Sequence, residues 1–421
     1  MAKFLYGIDF GTSNSALSIF DEERNQIIKT ISIPSLLYFP KELEVADQIT
    51  YSVGQSAIDS YLQDDMQGRF MKSIKRVLPR SSFIETRVGG HRLTAVDLAS
   101  FILSTLKKLA DEAIGFNCTK AIIGRPVFFD DEDASKDELA QKRLKLAAQK
   151  AGFTEVAFQF EPIGAAFAYE KEISTKERVL VADLGGGTSD FTLINLDPSH
   201  TGKKDRHKDI VATGGIYIGG DNFDSAFMFD VGTPYFGRGV QYQSMPNKML
   251  SLPLSFFTNI CSWEKMNFFN GQKIKNDLNR YYFLTNNNPK FKNLLTLTEH
   301  NLGYAVFQAI EKTKIELSNI ASSTFQYHNL DIHINEQITL TQYNQIIQKD
   351  IVKIENYLTQ FLLSNKIEPH QLDSIFITGG TSLVQAVQEL FKNKFPHTKI
   401  NSGDNFISVA KGLAYSGYLF D

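Results

Sequence analysis

The sequence predicts an α/β protein of two similar lobes around a cleft, each lobe a core with a peripheral subdomain, and three observations carry that prediction. Short β-rich runs alternate with helical stretches along the chain, an order that lays helices against sheets. A turn of glycine and hydroxyl residues behind an aspartate occurs twice, as Asp9-Phe10-Gly11-Thr12-Ser13 and as Asp183-Leu184-Gly185-Gly186-Gly187-Thr188-Ser189-Asp190. A strand, a helix, a second strand and a second helix follow each turn, and the closing helices share a small-residue pattern, Gly164-Ala165-Ala166 and Gly412-Leu413-Ala414.

In the first half, Phe4 to Ile8 reads as a buried strand and Ala16 to Phe20 as its partner across the first turn. The polar run Asp21 to Gln26 makes the next turn, and Ile27 to Ile33 is a third strand stopped by Pro34. Val96 to Ile114 has helical periodicity, and Ala121 to Gly124 is a strand. Asp130-Asp131-Glu132-Asp133 opens a helix that closes on Lys142, Arg143, Lys145 and Lys150, so charges at both ends complement the helix dipole; this reading outweighs a metal site. Val156 to Phe160 is a strand, and Glu161-Pro162 opens the next helix.

The second half repeats the order, with a strand through Ile375 to Thr378, a helix over Val384 to Lys394, a strand at Lys399-Ile400 and a helix from near Asp404. Between the halves, Phe227 to Gly303 is less orderly. Its eight asparagines between Asn267 and Asn293 read as a mobile surface loop, and Trp263 with its aromatic neighbours as a small local core.

At roughly 150 residues per domain, 421 residues suggest two or three domains and a core that needs no staples. Lys and Arg total 44 against 47 Asp and Glu, and this net −3 excludes a protein devoted to nucleic acid or to an anionic membrane. Cys118 and Cys261 fit neither a zinc set nor a redox pair and read as reduced thiols. No signal-peptide core and no membrane span is evident, so a cytoplasmic protein without membrane insertion is expected.

The glycine turns hold the chemistry. Backbone N–H groups and two hydroxyls presented together suit phosphate oxygens, although one such turn alone could equally be a tight hairpin. Two copies, each behind an aspartate at a strand end, favour phosphate, and Asp9 and Asp183 can hold Mg²⁺ through its waters. Gly214-Gly215-Ile216-Tyr217-Ile218-Gly219-Gly220 and Gly379-Gly380-Thr381-Ser382 add glycine clusters at helix starts. Seven Lys/Arg lie between Arg69 and Arg92 against one Glu. A lysine from this stretch can reach a terminal phosphate, or the stretch is a solvated basic face.

Taken as a set, these segments resemble the nucleotide-binding domain of the DnaK-type, seventy-kilodalton heat-shock chaperones, and through them the actin, hexokinase and heat-shock ATPase superfamily. Gly7 to Ser15 is similar to that family's first phosphate motif, Val181 to Phe191 to its second and Ile375 to Thr381 to its adenosine motif. Ile74-Lys75-Arg76 matches the segment of the catalytic lysine, Pro126 the switch proline with Arg143 as its relay partner, Glu161-Pro162 the lobe hinge, and Glu311 to Ser318 the nucleoside-clamping helix. The wording around Gly124-Arg125-Pro126, Phe160-Glu161-Pro162 and Gly403 to Phe406 is nearest the YegD-like branch.

The resemblance implies actin-like (ribonuclease H-like) lobes. Lobe I is 1–178, with its core at 1–39 and 114–178 and a peripheral subdomain at 40–113. Lobe II is 179–401, with its core at 179–226 and 319–401 and a divergent insertion at 227–318. A helix in 402–421 returns to lobe I. It further implies ATP or ADP on Gly11, Thr12, Ser13, Gly185, Gly186, Gly187, Gly219 and Gly220, with the nucleoside on Glu311, Lys314, Ser318, Gly379, Gly380 and Asp404. Lys75, Glu161, Asp190 and Thr188 are the catalytic candidates, Asp9 and Asp183 the Mg²⁺ holders, and K⁺ a candidate further ion.

Departures bear on function. The chain stops at Tyr418-Leu419-Phe420-Asp421, where the family continues into a peptide-binding domain, so none is expected. Leu383 replaces the adenine-stacking arginine, and Ala157 a basic residue used to dock a J-protein. The expected function is Mg²⁺-dependent ATP binding and hydrolysis. The alternative is a nucleotide-gated module for a protein partner or co-chaperone, with a small-molecule kinase behind both.

Overall fold

The computed structural model describes the chain apart from residues 1–3, 42–48, 65–67, 131, 201–205, 207, 247, 263–264, 267–268, 270, 405–406 and 421. Asp131, Trp263, Asn267, Asn270 and the Asn405-Phe406 end of the Gly403 motif therefore lie outside the described residues.

Five strands make the first sheet: β1 (Phe4–Asp9), β2 (Asn14–Asp21), β3 (Gln26–Pro34), β4 (Lys120–Arg125) and β5 (Glu155–Phe160). Their order is β5-β4-β1-β2-β3, with β1, β4 and β5 parallel and β1, β2 and β3 a meander. The second sheet holds β6 (Glu177–Leu184), β7 (Ser189–Leu196), β8 (Ile210–Ile216), β9 (Ser374–Thr378) and β10 (Lys399–Ser402), in the order β8-β7-β6-β9-β10. Here too the first two connections form a meander and the last two strands are parallel to the first. The two sheets thus share one topology, as the repeated motif order requires.

Leu5, Tyr6 and Ile8 of β1 are all buried because the sheet is covered on both faces. On one face α1 (Ala95–Ile114) and α2 (Ala134–Lys150) pack Leu98, Ile102, Leu106, Leu144 and Ala148 against Tyr6, Ile8 and Leu17. Thr94 and Asp97 close a capping box at the start of α1, and Gly115 ends it. The acidic run is the cap of α2, as expected: Asp133 accepts the Ser135 N–H, and Asp130 accepts those of Glu132 and Asp133.

α3 (Glu161–Glu170) and α4 (Ser408–Ala414) cover the other face. α3 joins the sheets: β5 runs straight into it, and its Ile163 and Ala166 share a cluster with Leu5 and Ile122 of the first sheet and Val179 and Val181 of the second. The two small-residue patterns meet here, since a Cβ on Gly412 would lie 1.5 Å from the Gly164 carbonyl oxygen. Backbone cannot yield as a side-chain tip does, so Gly412→Ala is expected to destabilise the chain by at least the about 1–3 kcal/mol of a core overpacking. Denaturant unfolding checks it, and an unchanged midpoint would count against this contact.

The chain divides into two compact units, Met1–Ser60, Phe70–Gly220 and Ile351–Asp421 in one, Tyr61–Arg69 and Asp221–Asp350 in the other. Both five-stranded sheets belong to the first. The second contains the helices Gln272–Leu284, Pro289–Glu299 and Gly303–Leu317 and the hairpin Ser322–Asn329 with Ile332–Thr339. It runs past 318 because the hairpin packs on this unit: Phe325 meets Phe227 edge-on at 5.3 Å, and Ser323 donates to Glu316 at 2.6 Å.

The asparagine-rich stretch is a correction. Its described part is helical on both sides of a tight turn rather than a mobile loop. Asn286 and Asn287 take left-handed backbone in that turn, and the Asn288 side chain caps the next helix ahead of Pro289. Tyr281 packs edge-on with Tyr242 and Phe256, an aromatic cluster among the described residues. No described helix is long and apolar enough to cross a membrane.

Candidate functional site

β1 ends on Asp9 and β6 on Leu184, one residue past Asp183, and the glycine turns follow directly. The first turn is tied to β3's exit, where Ser35 donates its N–H to the Ser13 carbonyl and its hydroxyl to that of Gly11, both at 2.8 Å. The second closes on itself through the Gly185 N–H and the Thr188 carbonyl at 2.9 Å. The two turns touch: a Cβ on Gly187 would stand 3.0 Å from Thr12 Oγ1.

Both later glycine clusters pack on the second turn. The Gly185 carbonyl accepts the Gly220 N–H at 3.1 Å and the Thr381 hydroxyl at 2.7 Å. Gly379 has φ +86° and lies so close to the Leu184 carbonyl that a Cβ would be 2.3 Å from its oxygen, so glycine is required there twice over. Gly380 opens the short helical turn that follows.

Lys75 lies in the turn Ile74–Val77, presented by Ser73 in left-handed backbone. Its ammonium is 2.5 Å from Glu161 Oε1 at the first position of α3, and both side chains are buried. Burial pushes the ammonium's pKa down, but Glu161 and then Asp9 outweigh burial and hold it above the ordinary lysine value. Asp183 and Asp190 stand directly opposite each other on β6 and β7. Burial, then Glu161, pushes the Asp183 carboxyl up to about 8 and that of Asp190 to about 7. Asp9 is likewise raised by burial, then by Glu161. Asp190 Oδ1 accepts the Val127 N–H at 3.0 Å, while Oδ2 is buried without a hydrogen-bond partner. Among the described residues, no three His, Cys, Asp or Glu side chains are placed to hold a metal ion by themselves.

Within the first unit the structure thus gathers Asp9, Thr12, Lys75, Glu161, Asp183, Gly185, Gly187, Asp190, Gly219, Gly220 and Gly379. Asp404, also there, precedes α4 and accepts the Ser408 hydroxyl on its carbonyl at 2.8 Å. Glu311, Lys314 and Ser318 belong to the second unit. There Lys314 pairs with Asp224 at 2.7 Å, and Ser318 donates to the Lys314 carbonyl at 3.1 Å. Burial pushes the Lys314 ammonium down, and Asp224 more than reverses it. Leu383, in the place of the adenine-stacking arginine, is 45% exposed, and Ile315 beside Lys314 is 57% exposed.

Arg143 is a correction. Its guanidinium is spent on the Val77, Leu78, Arg80 and Phe83 carbonyls, behind the Lys75 turn, and not on Pro126. Arg125 takes that place, donating to the Pro126 and Val127 carbonyls and forking onto Asp137. Asp137 and Asp224 carried no signal in the sequence beyond their residue types, and Arg125 and Tyr217, whose ring lies under Arg76 at 5.1 Å, stood inside quoted motifs without a role of their own.

A family model described as Hsp70 protein matches residues 5–235 and 273–420. The chain belongs to the Hsp70 family. Three relatives named chaperone protein DnaK give the scale of the likeness. The Thermosipho melanesiensis protein is 24% identical over 98% of this chain and 58% of its own length, and the Mycoplasmoides gallisepticum protein 26% over 98% and 59%. That of Mesomycoplasma hyopneumoniae is 25% identical over 99% and 58%. This Hsp70-family chain therefore spans a little under three-fifths of the relatives it matches. The stretch that the Hsp70 model leaves unmatched, 236–272, includes the hairpin Gln241–Met245 with Lys248–Ser251 and the helix Leu254–Ile260 of the second unit.

Proposed function

We propose that this chain binds ATP and ADP and hydrolyses ATP with Mg²⁺. The observation that carries the reading is two touching glycine turns beside a buried lysine, the buried Asp183 and Asp190 and the half-buried Asp9. Backbone N–H groups and hydroxyls of Gly11, Thr12, Ser13 and of Gly185, Gly186, Gly187 and Thr188 hold the phosphates, with Gly219 and Gly220 supporting the second turn. Lys75 stabilises charge on the transferring phosphoryl group, and Glu161 or Asp190 orients the attacking water. The residues present fit Mg²⁺: Asp9 and Asp183 offer hard carboxylate oxygens beside Asp190, whose Oδ2 is buried without a hydrogen-bond partner, in a site whose burial disfavours uncompensated negative charge. Asp9 and Asp183 hold the ion through its waters. When bound, Mg²⁺ neutralises charge on the phosphates. Turnover of radiolabelled ATP by the purified chain, with Mg²⁺ and with chelator, tests this, and binding without any turnover would refute hydrolysis.

We carry over from the resemblance, as part of this proposal, a nucleoside-binding role for Glu311, Lys314 and Ser318. Lys314→Met is expected to weaken ATP binding about tenfold, the scale of one charged hydrogen bond. It also strips Asp224 of its partner, so melting must be measured beside the calorimetric affinity. Unchanged ATP affinity would remove this helix from the site.

A second reading, a nucleotide-gated module for a protein partner, is favoured by Met245 and Phe283, 64% and 75% exposed in and beside the unmatched stretch. Its test is whether an environment-sensitive fluorophore beside Met245 responds to ATP.

A further inference from the structure

α3 carries Glu161 at one end and Glu170 at the other, and nine of its ten residues are buried. Glu170 is oddly placed. A carboxylate at a helix C-terminus opposes the helix dipole, and this one is also withdrawn from water. Arg206, in the loop between β7 and β8, answers both costs. Its guanidinium forks onto the two Glu170 oxygens at 2.9 and 2.6 Å, binds Asp209 at 2.5 Å and lies 4.6 Å over the Phe167 ring. Both side chains are nearly inaccessible, at 4% and 2%. The Asp197 N–H also donates to Glu170, at 3.2 Å, so both ends of the loop grip one carboxylate.

The loop belongs to the second sheet, whereas α3 grows directly out of β5 of the first. The latch therefore fixes the far end of the connecting helix to the second sheet. A ten-residue helix is a rigid rod about 15 Å long, so its axial position at Glu170 sets that of Glu161 at the other end. Lys75 has Glu161 as its hydrogen-bonded partner.

We propose that Arg206 and Glu170 are positioning residues: together they set the register of α3, and through Glu161 they place the Lys75 ammonium. The catalytic consequence rests on the hydrolysis reading above; the structural one does not. The test uses the full chain with Arg206→Met, Arg206→Lys, and Arg206→Met combined with Glu170→Gln. Backbone hydrogen exchange is followed without nucleotide, beside melting temperature, kcat and KM for ATP.

Arg206→Met is expected to speed exchange about tenfold both in 161–170 and in the distant 74–78 turn, leaving α1 unchanged. It should lower kcat about tenfold, with KM within about twofold, the signature of a displaced rather than a missing group. Arg206→Lys, a point charge without the fork, should fall between. The double variant leaves Asp209 without the guanidinium, with His200 still beside it at 3.0 Å, and should regain part of the melting temperature without regaining kcat. Should Arg206→Met not fold, the lysine and double variants give the same comparison. Unchanged exchange at 74–78 overturns the proposal, as does a double variant that recovers kcat together with stability. A wild-type chain with no turnover would refute hydrolysis, and exchange at 74–78 would then decide the latch alone.

Discussion

Lys75→Met is expected to lower ATP turnover about a hundred- to a thousand-fold while leaving ATP affinity within about threefold, a magnitude typical of losing one preorganised charge from a buried site. Ground-state affinity comes mainly from the many backbone donors of the two turns, none of which the substitution touches. Charge on the phosphoryl group changes as the bond breaks, and the ammonium, 2.5 Å from Glu161 and screened from water, is fixed where that change is felt. The substitution also strands the Glu161 carboxylate, and breaking a buried pair this way costs about 3–5 kcal/mol. Lys75→Met with Glu161→Gln should restore the melting temperature, which removes instability as the cause of the loss, and Glu161→Gln alone shows how much turnover falls with that carboxylate. Single-turnover hydrolysis and titration calorimetry read the two quantities. Equal falls in rate and affinity would show that Lys75 serves binding alone.

What the sequence disclosed follows the range of the physics involved. A strand-turn-strand motif is local, so Asp9 to Ser13 and Asp183 to Asp190 could be read directly, and their repetition gave the two-sheet architecture. The Gly164 and Gly412 patterns were visible too, because a close backbone approach leaves small residues behind. Lys75 and Glu161 are 86 residues apart, and spacing alone left the Arg69 to Arg92 stretch open as a solvated basic face. Only resemblance singled out the lysine. Arg143 misled for the same reason: the turn around Arg80 that collects its guanidinium is set by tertiary packing, not by the helix it sits on. The asparagines misled differently. Asn286, Asn287 and Asn288 do mark a turn, but composition could not show that they also terminate and cap helices on either side.

Without metal and nucleotide, burial of the aspartates is expected to make the chain lose stability as pH rises from about 5 to about 8. Asp183 and Asp190 ionise near 3.8 when unfolded, but burial and the Glu161 carboxylate raise them to about 8 and about 7 in the folded chain. Between those limits the folded state holds more protons than the unfolded one, so stability falls with rising pH, by up to about 1.4 kcal/mol per pH unit for each carboxyl. Their contribution is complete below about 4 and gone once the pH has passed the folded values. Because the two stand opposite each other across β6 and β7, the protons belong to the pair, and one substitution alters both steps. Asp183→Asn keeps the shape and removes the charge. Its melting temperature should therefore exceed that of the wild type at pH 8 by about 2–4 °C, and the difference should shrink toward pH 5. Scanning calorimetry in chelator at several pH values measures that difference directly, free of the other titrating groups that both proteins share. A difference that stays constant across the range would mean that the Asp183 carboxyl is already ionised at pH 5.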